Sequence, residues 1–486
     1  MVRHGIGVKS LSASAEKSAV TTYERVNPFR HRVPRAPLIL RGLTMARKPS
    51  KQHLTLVHTD CAGIDIGSRE HFVAVDDRHD KPVRKFATFT DDLHKLADWL
   101  ESLNIKVVAM ESTGVYWIPI YEILDARGFD VRLVNARSTR QITGRKSDVM
   151  DCQWILQLMS YGLLRSAFRP DDLTCVARSL FRQRSHKVRD QAKTLNRIQK
   201  ALAQMNIQLA NVISDISGVT GMKILRAINK GERDPYVLAS LSDPRIKASQ
   251  ETIARSLLGN WRKEHLTALK LELALYDFLE KQIAECDEAI VEVIDQMPVL
   301  DVSPPKPQKT LRSPHRTAAQ QTQLHQALCR VMGVDLTAIP TIGVDTALVI
   351  ASEVGADLSR FPSSQHFCSW LGLAPPTRIS GGKSLSGAGP KIHNHAGQAL
   401  KQAASNARND KGFIGASHRA RLTRMDTSCA IKATAHQLAR LIYLMLTKKK
   451  AYVEQGLAEF EARSQDRQLR ALQRKARKLG LQLVAV

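Results

Sequence analysis

Apolar runs of strand length alternate with amphipathic helical segments along residues 54–165. The predicted order is three strands, a helix, a strand, a helix, a strand and a helix, with turns at Gly67-Ser68 and Asp80-Lys81-Pro82. This alternation predicts an α/β domain. The predicted strands cover residues 57–66, 71–75, 83–89, 105–110 and 131–135, and the predicted helices cover 91–103, 118–127 and about 147–163.

Four carboxylates interrupt these patterns. Asp65 lies inside an apolar run, Glu111 follows the run 107–110, and Asp148 and Asp151 are spaced to share one helix face. Two acids at strand ends and two on a helix can together bind two Mg²⁺ ions, because Mg²⁺ prefers oxygen ligands. A pair of such ions stabilises both the attacking and the leaving oxygen of a phosphodiester. The element order and the acid placement are both those of a ribonuclease-H-like fold. They indicate nucleic-acid cleavage or strand transfer.

A heptad pattern follows and predicts a coiled coil from about residue 176 to 214. A second heptad stripe over 276–293 predicts a helix that forms an antiparallel hairpin with the first or serves dimerisation. In a hairpin, the intervening residues 215–265 form the tip. The first stripe consists of Phe181, Val188, Leu195 and Leu202, with Ile198 and Met205 offset by three.

The other faces of the first coiled-coil helix carry eight cations and a single acid, Asp190. Cations in such excess do not pair among themselves, which favours phosphate contact over a merely solvated face. Six of them are assigned to nucleic-acid binding, and Arg178 and Arg184 complete the eight. The six are Arg182, Lys187, Arg189, Lys193, Arg197 and Lys200.

Two motifs lie beyond a proline-rich basic linker. Residues 338–348 resemble a helix-hairpin-helix, in which the turn at Gly343 presents backbone N–H groups to a phosphate; a plain αα-turn is the alternative. Residues 375–387 hold a Gly-Gly pair between Ser380, which offers a nucleophilic hydroxyl, and Lys383, which with Arg378 attracts phosphate. This stretch lacks the Walker spacing. On spacing alone, a flexible Ser/Gly loop explains it better than catalysis.

Composition narrows the class of protein. The 486 residues hold 72 Lys+Arg against 46 Asp+Glu, a net charge of +26 that predicts a polyanionic partner. No apolar run has the length of a membrane span, and the seven scattered cysteines contain no Cys-x-x-Cys pair. We expect a reducing compartment and no membrane partner. The first 50 residues are basic and without periodicity, and translation from Met45 is the favoured alternative to a nucleic-acid-binding arm.

The acid tetrad and its neighbours resemble the DEDD-type transposases of bacterial insertion sequences, the insertion-sequence-110 family. The resemblance rests on residues 111–117, 135–137 and 144–151, and downstream on 360–361, 372–375 and 379–383. It covers roughly residues 54–480. It implies a RuvC-like N-terminal domain, a coiled-coil dimerisation arm and a small, mostly helical C-terminal domain whose serine acts on DNA. By position that serine is Ser380, with Ser384 and Ser386 as alternatives.

The same resemblance implies a recombinase that joins donor and target DNA under the guidance of a structured RNA encoded in its own element. We expect Mg²⁺ as cofactor, a homodimer or homotetramer, and a place in the bacterial cytoplasm, associated with the nucleoid. A Holliday-junction resolvase and an inactive nucleic-acid-binding remnant remain the alternatives. The expected segments are a basic extension 1–53, the catalytic domain 54–170, the arm 171–297, the linker 298–323, the C-terminal domain 324–446 and a basic helix 447–486.

Overall fold

A computed structural model describes most of the chain. It covers residues 55–112, 114–135, 147–300, 315–375, 378–381, 383–385, 392, 394–452 and 457–478. The predicted basic extension and most of the predicted linker lie outside the described residues. Ser386 lies outside them as well.

The N-terminal part is built on a five-stranded mixed sheet in the order β3-β2-β1-β4-β5. The first three strands are antiparallel neighbours, while β4 and β5 run parallel to β1. The predicted order of strands and helices along the chain is observed, because apolar runs and turn residues mark the strands. The strands are β1 (Cys61–Ile66), β2 (Glu70–Ala74), β3 (Val83–Ala87), β4 (Val107–Glu111) and β5 (Asp130–Val134).

Three helices cover the two faces of this sheet. One face packs on α1 (Thr90–Ser102) and α2 (Trp117–Ala126) through a core that includes Ile64 and Met110. The other face packs on α3 (Asp148–Ser160), whose Ile155 and Met159 form a smaller cluster with Ala109. Both faces are buried, so β1 and β4 read as continuous apolar runs.

An antiparallel helical hairpin follows the sheet. Helices α4 (Asp172–Gln204) and α9 (Lys263–Gln296) are its two long arms, and four short helices form the tip around their own hydrophobic core. The hairpin prediction is confirmed, including the tip. The tip helices are α5 (Leu209–Val212), α6 (Val219–Asn229), α7 (Pro235–Ser240) and α8 (Gln250–Ser256).

The base of this hairpin is built into the C-terminal part of the chain. Phe181 and Ile290, from the two long helices, share one hydrophobic core with the C-terminal helices. The helices are α10 (Ala318–Met332), α11 (Val344–Val354), α12 (Ser364–Trp370), α13 (His395–Asn406), α14 (Phe413–Leu422), α15 (Thr427–Lys448) and α16 (Leu457–Lys478). The described structure is thus α/β followed by mainly α-helix, as predicted.

The connector between the sheet and the hairpin is anchored at both ends. The Ala167 backbone N–H donates to the Leu133 carbonyl of β5 at 2.6 Å. The next residue, Phe168, lies against Phe361 and Trp370 of the C-terminal part, with ring centroids 4.8 and 5.1 Å apart. The connector therefore holds the sheet against the C-terminal helices.

Candidate active site

Strand register brings the first two predicted acids together. The parallel ladder between β1 and β4 ends at the pair Ile64 and Met110, so the next residues on the two strands are Asp65 and Glu111. Neighbouring side chains in register lie on the same face of a sheet. Both carboxylates are half-buried. They therefore stand side by side at the carboxyl ends of two adjacent strands.

Helix α3 crosses the face of the sheet that carries these acids. A Cβ added to Gly63 would lie 2.4 Å from the Leu156 backbone nitrogen and 2.5 Å from the Cys152 carbonyl oxygen. Gly63 and Asp65 are two residues apart on β1 and so face the same side. The glycine allows backbone contact with α3 and brings the N-terminal turn of that helix next to Asp65.

We expect Gly63→Ala to destabilise the fold by about 1–3 kcal/mol or more, because the added methyl group overlaps backbone atoms of α3 that cannot rotate away. Thermal unfolding of the purified chain measures this effect. Gly343→Ala is the matched control, since nothing lies within 4 Å of its Cβ position and its φ is −99°. Equal melting temperatures for the two variants would contradict the close crossing.

The other two acids lie in the first turn of α3. Ser147 caps this helix, its hydroxyl accepting from the Met150 backbone N–H at 3.3 Å, so Asp148 is the first helical residue and Asp151 the fourth. Asp148 is exposed and Asp151 is half-buried. Acids in a first helical turn are stabilised by the helix dipole. Asp151 directly precedes Cys152, whose carbonyl lies against Gly63 of β1. The shared face of Asp148 and Asp151 stays a prediction.

A buried thiol responds to the charge of this site. Burial, and next the negative charge of Asp65, raise the pKa of the Cys152 thiol to about 12, and Asp151 contributes in the same direction. Two carboxylates from different elements therefore act on the same thiol. Among the residues that the structure describes, no three of the four acids bring oxygens within 4.8 Å of one another. The acids border the α3–β1 crossing rather than forming a closed cluster.

Ser380 lies in a tight hairpin rather than in a flexible loop. Strands β6 (Arg378–Ser380) and β7 (Lys383–Leu385) pair with Ser380 opposite Lys383, so only the Gly-Gly pair connects them. Gly381 has a φ of +55°, a left-handed conformation that glycine adopts without strain. Ser380 is exposed, directly before the turn. Of Arg378 and Lys383, only the backbone is described.

The turn at Gly343 opens onto a polar cavity of about 900 Å³. Gly343 caps α11, and its backbone is approachable because no atom lies near its Cβ position. The Thr341 hydroxyl is buried there and has no hydrogen-bond partner among the described residues. Lys411 also lines the cavity. The helix-hairpin-helix assignment stays a prediction, and this cavity is compatible with it.

Several cations assigned to nucleic-acid binding make ion pairs within the chain. Arg182 forms a two-pronged pair with Glu353, with both distances 2.9 Å. Lys193 contacts Asp190 at 3.0 Å, and Arg197 contacts Glu272 at 2.7 Å. Arg178 also pairs with Glu353, and Arg184 with Asp287. Three of the six, Lys187, Arg189 and Lys200, make no ion pair in the described part of the chain.

Only Lys193 pairs with an acid on its own helix, Asp190. The other acids that these cations contact lie on α9 and α11, far away in the sequence. No local sequence signal predicts such pairs. Phosphate binding by the six residues stays a prediction. The three that make no ion pair in the described part of the chain are the best candidates for it.

One buried cluster has the composition of a metal site. His325, Cys329 and Asp335 bring one donor atom each within 4.8 Å of one another. The His325 Nε2 lies 3.1 Å from Asp335 and 3.6 Å from the Cys329 sulfur, and Asp335 also accepts from the Thr337 N–H and hydroxyl. Burial raises the pKa of the Cys329 thiol to about 12, so the thiol keeps its proton. Hydrogen bonds explain this cluster as a link between α10 and the following turn.

Comparison with known families finds matches in two parts of the chain. Residues 62–207 match a family model of DEDD transposases of the IS110 type, described as transposase. Residues 335–413 match the model of the transposase IS116/IS110/IS902 family. The two matches support an IS110-type transposase. The first match contains all four acids, and the second contains both Gly343 and Ser380 of this transposase. No curated protein matches the chain.

The two matches confirm the resemblance inferred from the motifs and imply DNA substrates. A DEDD-type domain implies the use of a divalent metal. Within the described residues, no helix is both long and apolar enough to cross a membrane.

Proposed function

We propose that this transposase cleaves and joins DNA strands with Mg²⁺ held by Asp65, Glu111, Asp148 and Asp151. The observation that carries this proposal is the register of Asp65 beside Glu111 under the first turn of α3. Strand order, strand direction and the crossing helix support a ribonuclease-H-like, RuvC-like fold for this domain.

The donor set fits the ion. Carboxylate oxygens are the ligands that Mg²⁺ prefers, and all four predicted ligands are carboxylates. When bound, Mg²⁺ supplies electrostatic stabilisation of the charge that develops on the scissile phosphate. The chain's own part is to hold the acids on a rigid strand pair and a capped helix.

The nucleophile proposed is the Ser380 hydroxyl. Its attack forms a bond between Oγ and the phosphorus and releases a deoxyribose hydroxyl, leaving a phosphoserine that a second hydroxyl resolves. The exposed position before a two-residue turn gives a phosphodiester access to Ser380. The neighbouring cations Arg378 and Lys383 add positive charge near the phosphate. Ser384 occupies the adjacent register position, opposite Ile379.

Nucleic-acid binding is proposed along the hairpin and at the Gly343 cavity. Lys187, Arg189 and Lys200 offer cations that have no acid partner in the described structure. The cavity offers the α11 N-terminus, Lys411 and the Thr341 hydroxyl to a phosphate. We propose that donor DNA, target DNA and a structured guide RNA are the partners. Sequencing the RNA that co-purifies with the chain tests the last of these.

A homodimer or homotetramer is proposed from the outer face of α9. Leu271, Leu275 and Phe278 are exposed there at spacings of four and three, the spacing of a coiled-coil seam. The inner face of the same helix already packs on α4. Light scattering checks the assembly state, and a monomer at micromolar concentration would exclude it.

The experiment that tests the function combines the purified chain with DNA that carries the ends of its element and a target duplex. We expect strand cleavage and joined products with Mg²⁺ and none with EDTA. A resolvase would cut a four-way junction without joining donor to target. An inactive remnant would bind DNA and leave every strand intact.

A further inference from the structure

Arg421 is a half-buried guanidinium that has no carboxylate partner in the described structure. It lies in the last turn of α14 and reaches across to α15. Its Nη1 donates to the Thr434 hydroxyl at 2.9 Å, and its Nη2 donates to the Gln437 side-chain oxygen at 2.7 Å. Both acceptors are neutral, so the positive charge is held in place without being neutralised.

The most deeply buried guanidiniums of the described structure are neutralised. Arg184 and Arg316 both contact Asp287, and Arg178 contacts Glu353. A buried charge is costly unless an opposite charge accompanies it. Arg421 therefore differs from these three residues in lacking an anion.

The charges around Arg421 are also positive. Burial and the neighbouring Arg424 lower its pKa, with no acid acting in the opposite direction. Burial, followed by the charge of Arg421, lowers the pKa of His418; burial, Arg440 and Arg421 lower that of His436. Helices α14 and α15 thus surround the Arg421 guanidinium with cations, neutral amides and hydroxyls.

The geometry of the contacts argues against a purely structural role at the helix end. Cations near a helix C-terminus can bind its free carbonyl groups. Arg424 does so, donating to the Ala420 carbonyl. Arg421 instead donates to side chains of the next helix. The Thr434 hydroxyl donates to the Ala430 carbonyl, and its oxygen contacts both Arg421 and the His418 Nδ1, the latter at 2.9 Å.

We propose that Arg421 is a binding site for a backbone phosphate of nucleic acid, a proposal that rests on the proposed function. A guanidinium has five N–H donors, and Thr434 and Gln437 accept from two of them. The remaining donors are held in a fixed orientation and suit the oxygens of a phosphate. The phosphate supplies the negative charge that the fold lacks at this position.

Arg421→Gln tests the site in the full-length chain. Fluorescence anisotropy gives the Kd of a labelled duplex DNA and of a labelled structured RNA, in separate arms, over a series of KCl concentrations. We expect the Kd to rise about tenfold for the nucleic acid, DNA or RNA, whose phosphate binds at Arg421. The slope of log K against log salt should fall by about 0.9, the value for one lost phosphate contact on a duplex.

Arg245→Gln is the matched control, because Arg245 is exposed and already paired with Asp243 in two hydrogen bonds. It removes the same charge and should leave the Kd within about twofold and the slope unchanged. Arg421→Lys is the second variant. It keeps the positive charge that the folded chain already carries at this position. It should keep the slope and weaken binding, because an ammonium lacks the planar fork.

The outcomes separate the two proposals. If the parent chain binds nucleic acid and both Arg421 variants match it in Kd and slope, the phosphate site is overturned and the transposase proposal stands. If the parent chain binds neither DNA nor RNA, the proposed function fails first. A loss in Arg421→Gln that Arg245→Gln reproduces shows a general charge effect and also overturns the site.

Discussion

Replacing Asp148 by Asn is expected to abolish DNA strand cleavage while DNA binding is retained. The substitution removes one negative charge and one anionic oxygen from the site at the start of α3 but keeps the size and the backbone of the residue. Loss of metal-borne charge stabilisation corresponds to several kcal/mol, so we expect a decrease of about 10³-fold or more. Denaturing gels of Mg²⁺-dependent cleavage products measure the rate, and gel shifts in EDTA measure binding.

Asp91→Asn is the matched control for this prediction. Asp91 also lies in the first turn of a helix, α1, where an acid stabilises the helix dipole. The control therefore removes the same kind of charge from a first helical turn and leaves the four acids of the metal site intact. Its cleavage rate should equal that of the parent chain. Cleavage retained in Asp148→Asn would remove this residue from the metal site, whatever the control does.

The sheet and its acids follow from the sequence because the decisive signals are local. Each strand is marked by its alternation and its turn residues, and Asp65 stands out as an acid within an apolar run. Parallel neighbouring strands end at the same edge, which brings Glu111 next to Asp65. Gly63 was not singled out, although its position two residues before Asp65 is the signal that a helix backbone crosses the site.

The partners of the hairpin cations could not be predicted, because they are distant in sequence. Arg184 was expected on a phosphate-binding face, but it is buried against Asp287, 103 residues away, and Arg182 contacts Glu353 at a separation of 171 residues. Such pairs exist only once the hairpin base has packed into the C-terminal core. The strands around Ser380 were missed for another reason: three residues are too short to display a period.

Replacing Ser380 by Ala is expected to eliminate the covalent protein–DNA adduct and all strand joining. The substitution removes only the hydroxyl oxygen, and the Gly-Gly turn does not depend on that atom, so the hairpin should persist. Without an Oγ the phosphoserine cannot form, and we expect activity to fall to background, by about 10³-fold or more. The adduct is measured by trapping labelled DNA on the protein under denaturing conditions.

Ser384→Ala is the control that separates the nucleophile from general damage to the hairpin. Ser384 lies opposite Ile379, one register position away from the Ser380–Lys383 pair. A nucleophile at Ser380 therefore predicts adduct in Ser384→Ala and none in Ser380→Ala. The reverse pattern would move the nucleophile to Ser384. Adduct in both variants would move the nucleophile off both hairpin serines and leave Ser386 as the remaining predicted alternative.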